Sequence, residues 1–132
     1  MREDIKILFL FAMLFCHIVD DYYLQGILAQ LKQKDWWKAH APDDLYKNDY
    51  KVALGMHGLS WSIMIHIPIV VFLLMCGQTL SVWFFLSVIV NAIFHAYIDD
   101  LKANKKSINL IIDQTVHVCC IAFIWEVFCL IW

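Results

Sequence analysis

The sequence predicts an all-α membrane protein: four antiparallel transmembrane helices in a bundle, with an interfacial segment between the first and the second. Three observations predict it. Hydrophobic residues make up 62% of the chain and aromatic residues 15%, and the mean hydropathy is +0.67, so there is too little polar surface to cover a soluble globule of 132 residues. Four windows, 7–28, 52–76, 79–98 and 108–132, each supply the ~20 mostly apolar residues that a membrane helix needs. Gly77-Gln78 leaves only a tight turn between the second and third windows, a short polar stretch from Asp99 to Ser107 separates the third and fourth, and a longer connection, Leu31 to Tyr50, lies between the first and second, so four antiparallel helices is the simplest arrangement. The length allows one domain, residues 1–132. The same composition excludes a soluble cytosolic enzyme and intrinsic disorder, and a formal net charge of -2 with scattered lysines leaves no nucleic-acid footprint.

The first window follows Met1-Arg2-Glu3-Asp4-Ile5-Lys6 and looks at first like a signal peptide. It has no small-residue cleavage site and continues into His17 and Asp20-Asp21, so a retained first helix is expected. The connection Leu31 to Tyr50 carries Trp36, Trp37, Tyr46 and Tyr50, residues suited to the headgroup layer, and Pro42 before Asp43-Asp44 predicts a helix start. The second and third windows are free of charge, and Pro68 is expected to kink the second. The fourth holds Asp113, Gln114 and His117 in its first half and Glu126 near its end. Lysines 32, 34, 38, 47 and 51 in the first connection and 102, 105 and 106 in the third face only Arg2 and Lys6 on the other side. The positive-inside rule then puts both connections in the cytoplasm and both termini outside. Five cysteines in apolar runs, with no Cys-x-x-Cys spacing, read as packing residues.

Three windows carry a histidine and an aspartate four residues apart: His17 with Asp21, His95 with Asp99, and Asp113 with His117. That spacing sets both side chains on one helix face, one turn and ~6 Å apart. Composition alone predicts about one such pair; four are present, the fourth being His40 with Asp44 across Pro42. The first and third windows run toward the lysine-rich side with His before Asp, and the fourth runs away from it with Asp before His. All three histidines therefore fall in one layer, one turn deeper than their aspartates, with His57 at comparable depth.

Carboxylates at the hydrocarbon edge cost about 2.5–3.5 kcal/mol each unless paired or bound to a cation. Imidazole with carboxylate is the ligand set of zinc, manganese or iron. The expected metal ligands are His17, Asp21, His95, Asp99, Asp113 and His117, for one or two divalent ions, zinc first; an Asp-His hydrogen-bond network stapling the bundle is the alternative. His57 is a further ligand or a general base. Gln25 and Gln114 are placed to orient the ligands by hydrogen bonds, and Lys102 to hold a substrate anion or to sit at the lipid interface. Asp20, Asp49 and Asp100, not being four residues from a histidine in a window, are expected to be solvated. His40, His66 and Glu126 receive no catalytic role.

The segments His17 to Gln25, Tyr46 to Tyr50 leading into His57 and Trp61, His95 to Lys102 with Asn104, and Asn109 to His117 resemble domain-of-unknown-function family 3307. Its members are small membrane proteins of phages and bacteria, and it is distantly similar to inner-membrane proteins labelled metal-dependent hydrolases. The resemblance covers most of the chain. It implies a bacterial inner (plasma) membrane protein and metal-dependent hydrolysis, with Asp21, Asp99 or His57 handling the proton. The depth of the layer points to a membrane lipid or lipid-linked ester or phosphoester. The competing expectations are a phage-type membrane effector without catalysis, a proton or metal conduit, and a di-metal oxidoreductase, although the spacing here is His-x-x-x-Asp rather than Glu-x-x-His. A conduit is expected to be incomplete, because the outer half offers little beyond His66 and Glu126. Homo-oligomerisation through the Trp- and Phe-rich outer faces stays open.

Overall fold

The computed structural model describes residues 2–131; Met1 and Trp132, the outermost residues of the expected domain, lie outside them. Helix α1 (Glu3–Val19) starts with Glu3 and Asp4 in its first turn, where the helix dipole favours acids, and runs on as a π-helical turn, Asp20–Leu24. It stops where Gly26 takes a φ of +50°. The short α2 (Leu28–Leu31) and α3 (Lys34–His40) follow. The helix start expected after Pro42 is a single 3-10 turn, Asp44–Tyr46, N-capped by Asp43, whose Oδ1 accepts from the Leu45 N–H at 2.8 Å. Then come α4 (Asp49–Met75), which continues through Pro68, α5 (Val82–Ala103) and α6 (Leu110–Ile131). Four of these segments are long and apolar enough to cross a membrane, as expected.

Their ends shift where polar groups cap them. The α4–α5 turn is closed by Gly77 at φ +69°, with the Gln78 N–H on the Leu73 carbonyl at 2.8 Å and the Gly77 N–H on that of Leu74 at 3.0 Å. Ser81 Oγ then accepts from the Phe84 N–H, so α5 begins at Val82 rather than 79 and carries on past 98 through its polar last turns. At the head of α6, Asn109 Oδ1 accepts from the Ile112 N–H at 2.9 Å.

The apolar core joins α1, α4 and α6 through Phe9, Met13, Trp61, Ile65, Ile69, Leu73, Ile121 and Phe128. Phe9 stacks on Phe128 at 5.2 Å, with Phe72 edge-on to both. The outer faces leave Phe11, Phe15, Trp83, Phe123 and Leu130 exposed, as a surface solvated by lipid requires. All five cysteines are free. Helices α4 and α5 meet across Gly58, where a Cβ would stand 2.4 Å from the Ala92 carbonyl oxygen. Small residues at such a crossing let two backbones touch without the hydrophobic drive that water supplies.

Gly58→Ala should therefore destabilise the bundle by about 1–3 kcal/mol, whereas Gly55→Ala, whose Cβ meets nothing within 4 Å, should be neutral or up to ~1 kcal/mol stabilising. Thermal melts of both variants in detergent check the contrast.

Candidate metal centre

The end of α1, the start of α4, the end of α5 and the start of α6 meet at one end of the bundle, and each brings acids or histidines inward. Asp20 and Asp21 follow the buried His17 by three and four residues, so both lie on its inward face, and the helix then widens into a π turn closed by the Gln25 N–H on the Asp20 carbonyl at 3.0 Å.

His57 stands at the centre. Its Nε2 lies 3.2 Å from His95 Nε2, 3.3 Å from Asp21 Oδ1 and 3.4 Å from Asp99 Oδ2, while His95 Nε2 is 3.9 Å from each of the two carboxylate oxygens. On its far side, His57 Nδ1 faces Asp20 Oδ2 at 3.7 Å, and Asp20 Oδ1 accepts from the Ser60 hydroxyl at 2.6 Å. A carboxylate behind the distal ring nitrogen is the arrangement that fixes a ligating histidine. His117 completes the layer, its ring stacked on that of His95 at 4.1 Å and its Nδ1 3.7 Å from Asp21 Oδ2. Trp61 floors it, stacked on His95 at 4.3 Å.

Two overlapping triplets, Asp21 with His57 and His95, and His95 with Asp99 and His117, have donor atoms close enough to share an ion. Tetrahedral zinc with bonds of about 2.0–2.1 Å has ligand–ligand edges of roughly 3.3–3.4 Å, against observed separations of 3.2–3.9 Å. Among the described residues, the buried side-chain atoms that lack a hydrogen-bond partner are Asp20 Oδ2, Asp21 Oδ1, Asp113 Oδ1, Nδ1 of His57 and of His95, and both nitrogens of His117. All belong to this one layer. Buried polar atoms elsewhere are satisfied, so the concentration of unpaired donor atoms here fits a site built for a cation.

Lys32 and Lys102 supply the cations the chain itself provides. Lys32, counted in the sequence among the lysines of the first connection, is buried and donates to Asp99 Oδ2 at 2.5 Å. Lys102 pairs with Asp113 and stands 3.8 Å from Asp99 Oδ1. Four carboxylates (Asp20, Asp21, Asp99, Asp113) against two ammoniums leave two negative charges in the layer, the charge of one divalent ion.

The structure corrects several expectations. His17 is not free to ligate: the donor-only Trp61 indole N–H bonds its Nδ1 at 2.7 Å, which leaves Nε2 to donate to Gln114 Oε1 at 3.1 Å. Gln114 then donates to Asp21 Oδ2 and Asp113 Oδ2, both at 3.1 Å, so His17 acts by holding Gln114. Asp113 stands outside both triplets, occupied by Lys102 and Gln114. Asp20 is wholly buried rather than solvated. Gln25 reaches the backbone carbonyl of Asp21, not its carboxylate. Asp100 bonds Asn104 locally, and Glu126 faces outward. Asp20, Ser60 and Lys32 are the residues that sequence spacing missed.

Lys32→Met should strip Asp99 of its partner and cost about 3–5 kcal/mol, and Lys32→Met with Asp99→Asn should recover most of it; chemical or thermal unfolding in detergent measures both. In comparisons with known proteins, no family model matches the chain, and neither a curated protein nor a solved structure is similar to it.

Proposed function

We propose that this chain is a metal-dependent hydrolase embedded in the bacterial inner membrane, with the centre at the cytoplasmic headgroup layer and both termini outside, acting on an ester or phosphoester of a lipid or lipid-linked substrate. The observation that carries this reading is the pair of triplets that overlap at His95, Asp21 with His57 and Asp99 with His117, whose donor atoms lie close enough to share an ion, within the one layer that gathers the unpartnered polar atoms. The lysine-rich connections on that side support the orientation.

Asp21, His57, His95 and Asp99, with His117 beside them, would hold the ion, zinc in first place and manganese or iron otherwise. Bound there, it would supply Lewis-acid polarisation of the scissile group and an acidified water. Asp20 stands behind the His57 ring, its Oδ2 3.7 Å from Nδ1, on the side away from the inward-facing Nε2. Of the acids proposed to carry the proton, Asp21 lines the cleft that opens at this end, and Asp99 is nearly sealed beneath Lys32. Trp61 and His95 close the layer from the apolar half, which keeps the charges in a low dielectric where they act most strongly.

A second reading, a proton conduit, has one observation in its favour. His66, buried in mid-bundle, bonds the Ser62 carbonyl and the Ser87 hydroxyl, and Asn91 links the Ser87 carbonyl to Cys120, so polar groups extend further than the sequence suggested. Proton flux through proteoliposomes without product formation would favour it.

Elemental mass spectrometry of the detergent-purified protein after reconstitution should find stoichiometric zinc, manganese or iron in the wild type. His57→Ala, His95→Ala and Asp21→Asn should lose it. His17→Gln should lower stability yet keep the metal. A wild type without metal removes the hydrolase.

A further inference from the structure

Two cavities adjoin at the centre and differ in chemistry. One, of about 380 Å³, opens at the end of the bundle and is lined by Asp21, Gln25, Lys32 and Lys102. The other, of about 560 Å³, lies along the seam between α1 and α6 and is lined by Leu14, Ile18, Tyr23 and Val118 with His17 at its base. Tyr22 and Gln114 border both. Gln114 is also the residue whose amide is held by His17 and holds Asp21, so the junction of the two cavities touches a residue of the metal centre.

The polar cavity offers hydrogen-bond donors to an anion beside the metal centre. An ammonium has three N–H donors; that of Lys32 is bonded to Asp99 alone, and that of Lys102 to Asp113 with Asp99 further off, so both retain donors for another acceptor. Lys102 keeps 27% of its side chain open. The apolar cavity borders lipid: Ile18, Tyr22, Tyr23 and Val118 are all exposed on the outer face, among the side chains that meet the bilayer. From Leu14 to Tyr22 it follows about 12 Å of helix axis, enough for a stretch of hydrocarbon chain.

We infer that the site takes an amphiphile with a phosphate-type anionic head and an apolar chain, reaching it sideways from the bilayer between α1 and α6: the head lies against Lys32 and Lys102, the chain along Leu14, Ile18 and Val118, and the linkage between them at Tyr22 and Gln114. This deepens the hydrolase reading by naming its substrate class and its route. The unused N–H donors of Lys32 and Lys102 select the head, and continuity of the groove with the lipid-facing surface selects the chain.

Binding to the full-length protein in detergent tests it, read by native mass spectrometry or ligand competition with no turnover required. The probes are a long-chain lysophosphatidic acid, glycerol 3-phosphate with the same head and no chain, and a lysophosphatidylcholine with the same chain and no net charge. Lysophosphatidic acid should bind at least about tenfold more tightly than either comparison. Ile18→Trp, which fills the groove from the lipid side without touching the core, should weaken it by about tenfold, and Lys102→Gln by a similar factor. Equal binding of glycerol 3-phosphate would make the ligand a soluble phosphate and overturn the groove. Equal binding of lysophosphatidylcholine, an unaffected Ile18→Trp or no binding at all would also overturn the inference. Protein that binds the amphiphile but no metal would remove the hydrolase and leave this seat standing; protein that binds metal but no amphiphile would do the reverse.

Discussion

Four carboxylates taken out of water in an apolar bundle are the constraint on which the rest of this structure depends. A lone carboxylate in such a setting costs several kcal/mol, so each must be met by a cation, a proton donor or a metal. The chain meets part of that demand itself. Lys32 comes down from beyond the end of α1 to reach Asp99, Lys102 reaches across to Asp113, and Ser60 and Gln114 give hydrogen bonds to Asp20 and Asp21. The remaining two charges, with the unpaired nitrogens of three histidines beside them, define what a ligand must supply.

Stability and chemistry occupy opposite halves of the bundle. Away from the centre, Phe9, Phe72 and Phe128 pack as an aromatic cluster and Trp125 ties α6 to the backbone of Lys6 at 2.7 Å. That half holds the helices in register so that the other half can keep unpaired polar atoms, which would otherwise be a defect. The close α4–α5 contact at Gly58 lies one residue from His57, so the same crossing that joins these helices brings His57 and His95 to 3.2 Å.

Much of this was legible in the sequence, because two periods were enough to read it. Twenty-residue apolar windows marked the four helices, and the His-to-Asp spacing of four, reversed in the last helix, marked the layer where Asp21, His95, Asp99 and His117 meet. What stayed hidden depends on spacings that were not counted or on single atoms. Asp20 follows His17 by three residues, a spacing that shares a helix face as the spacing of four does, but only pairs four apart were counted. Lys32 lies in a connection, where a lysine ordinarily faces water. His17 has the right spacing and depth, yet which nitrogen bonds Trp61 is set by how α1 and α4 pack, and that decides that it orients rather than ligates. Helix ends moved for the same kind of reason, since Ser81 and Asn109 fix them by caps rather than by hydropathy.

X-ray absorption spectroscopy at the metal edge of the reconstituted protein reads the ligands of the bound ion. A first shell of nitrogen and oxygen alone at about 2.0–2.1 Å is expected, with the multiple-scattering signature of two or three imidazoles and no sulfur, in a protein whose five cysteines are all free. Sulfur scattering near 2.3 Å, or an ion with no imidazole in its shell, would place the metal elsewhere and contradict it.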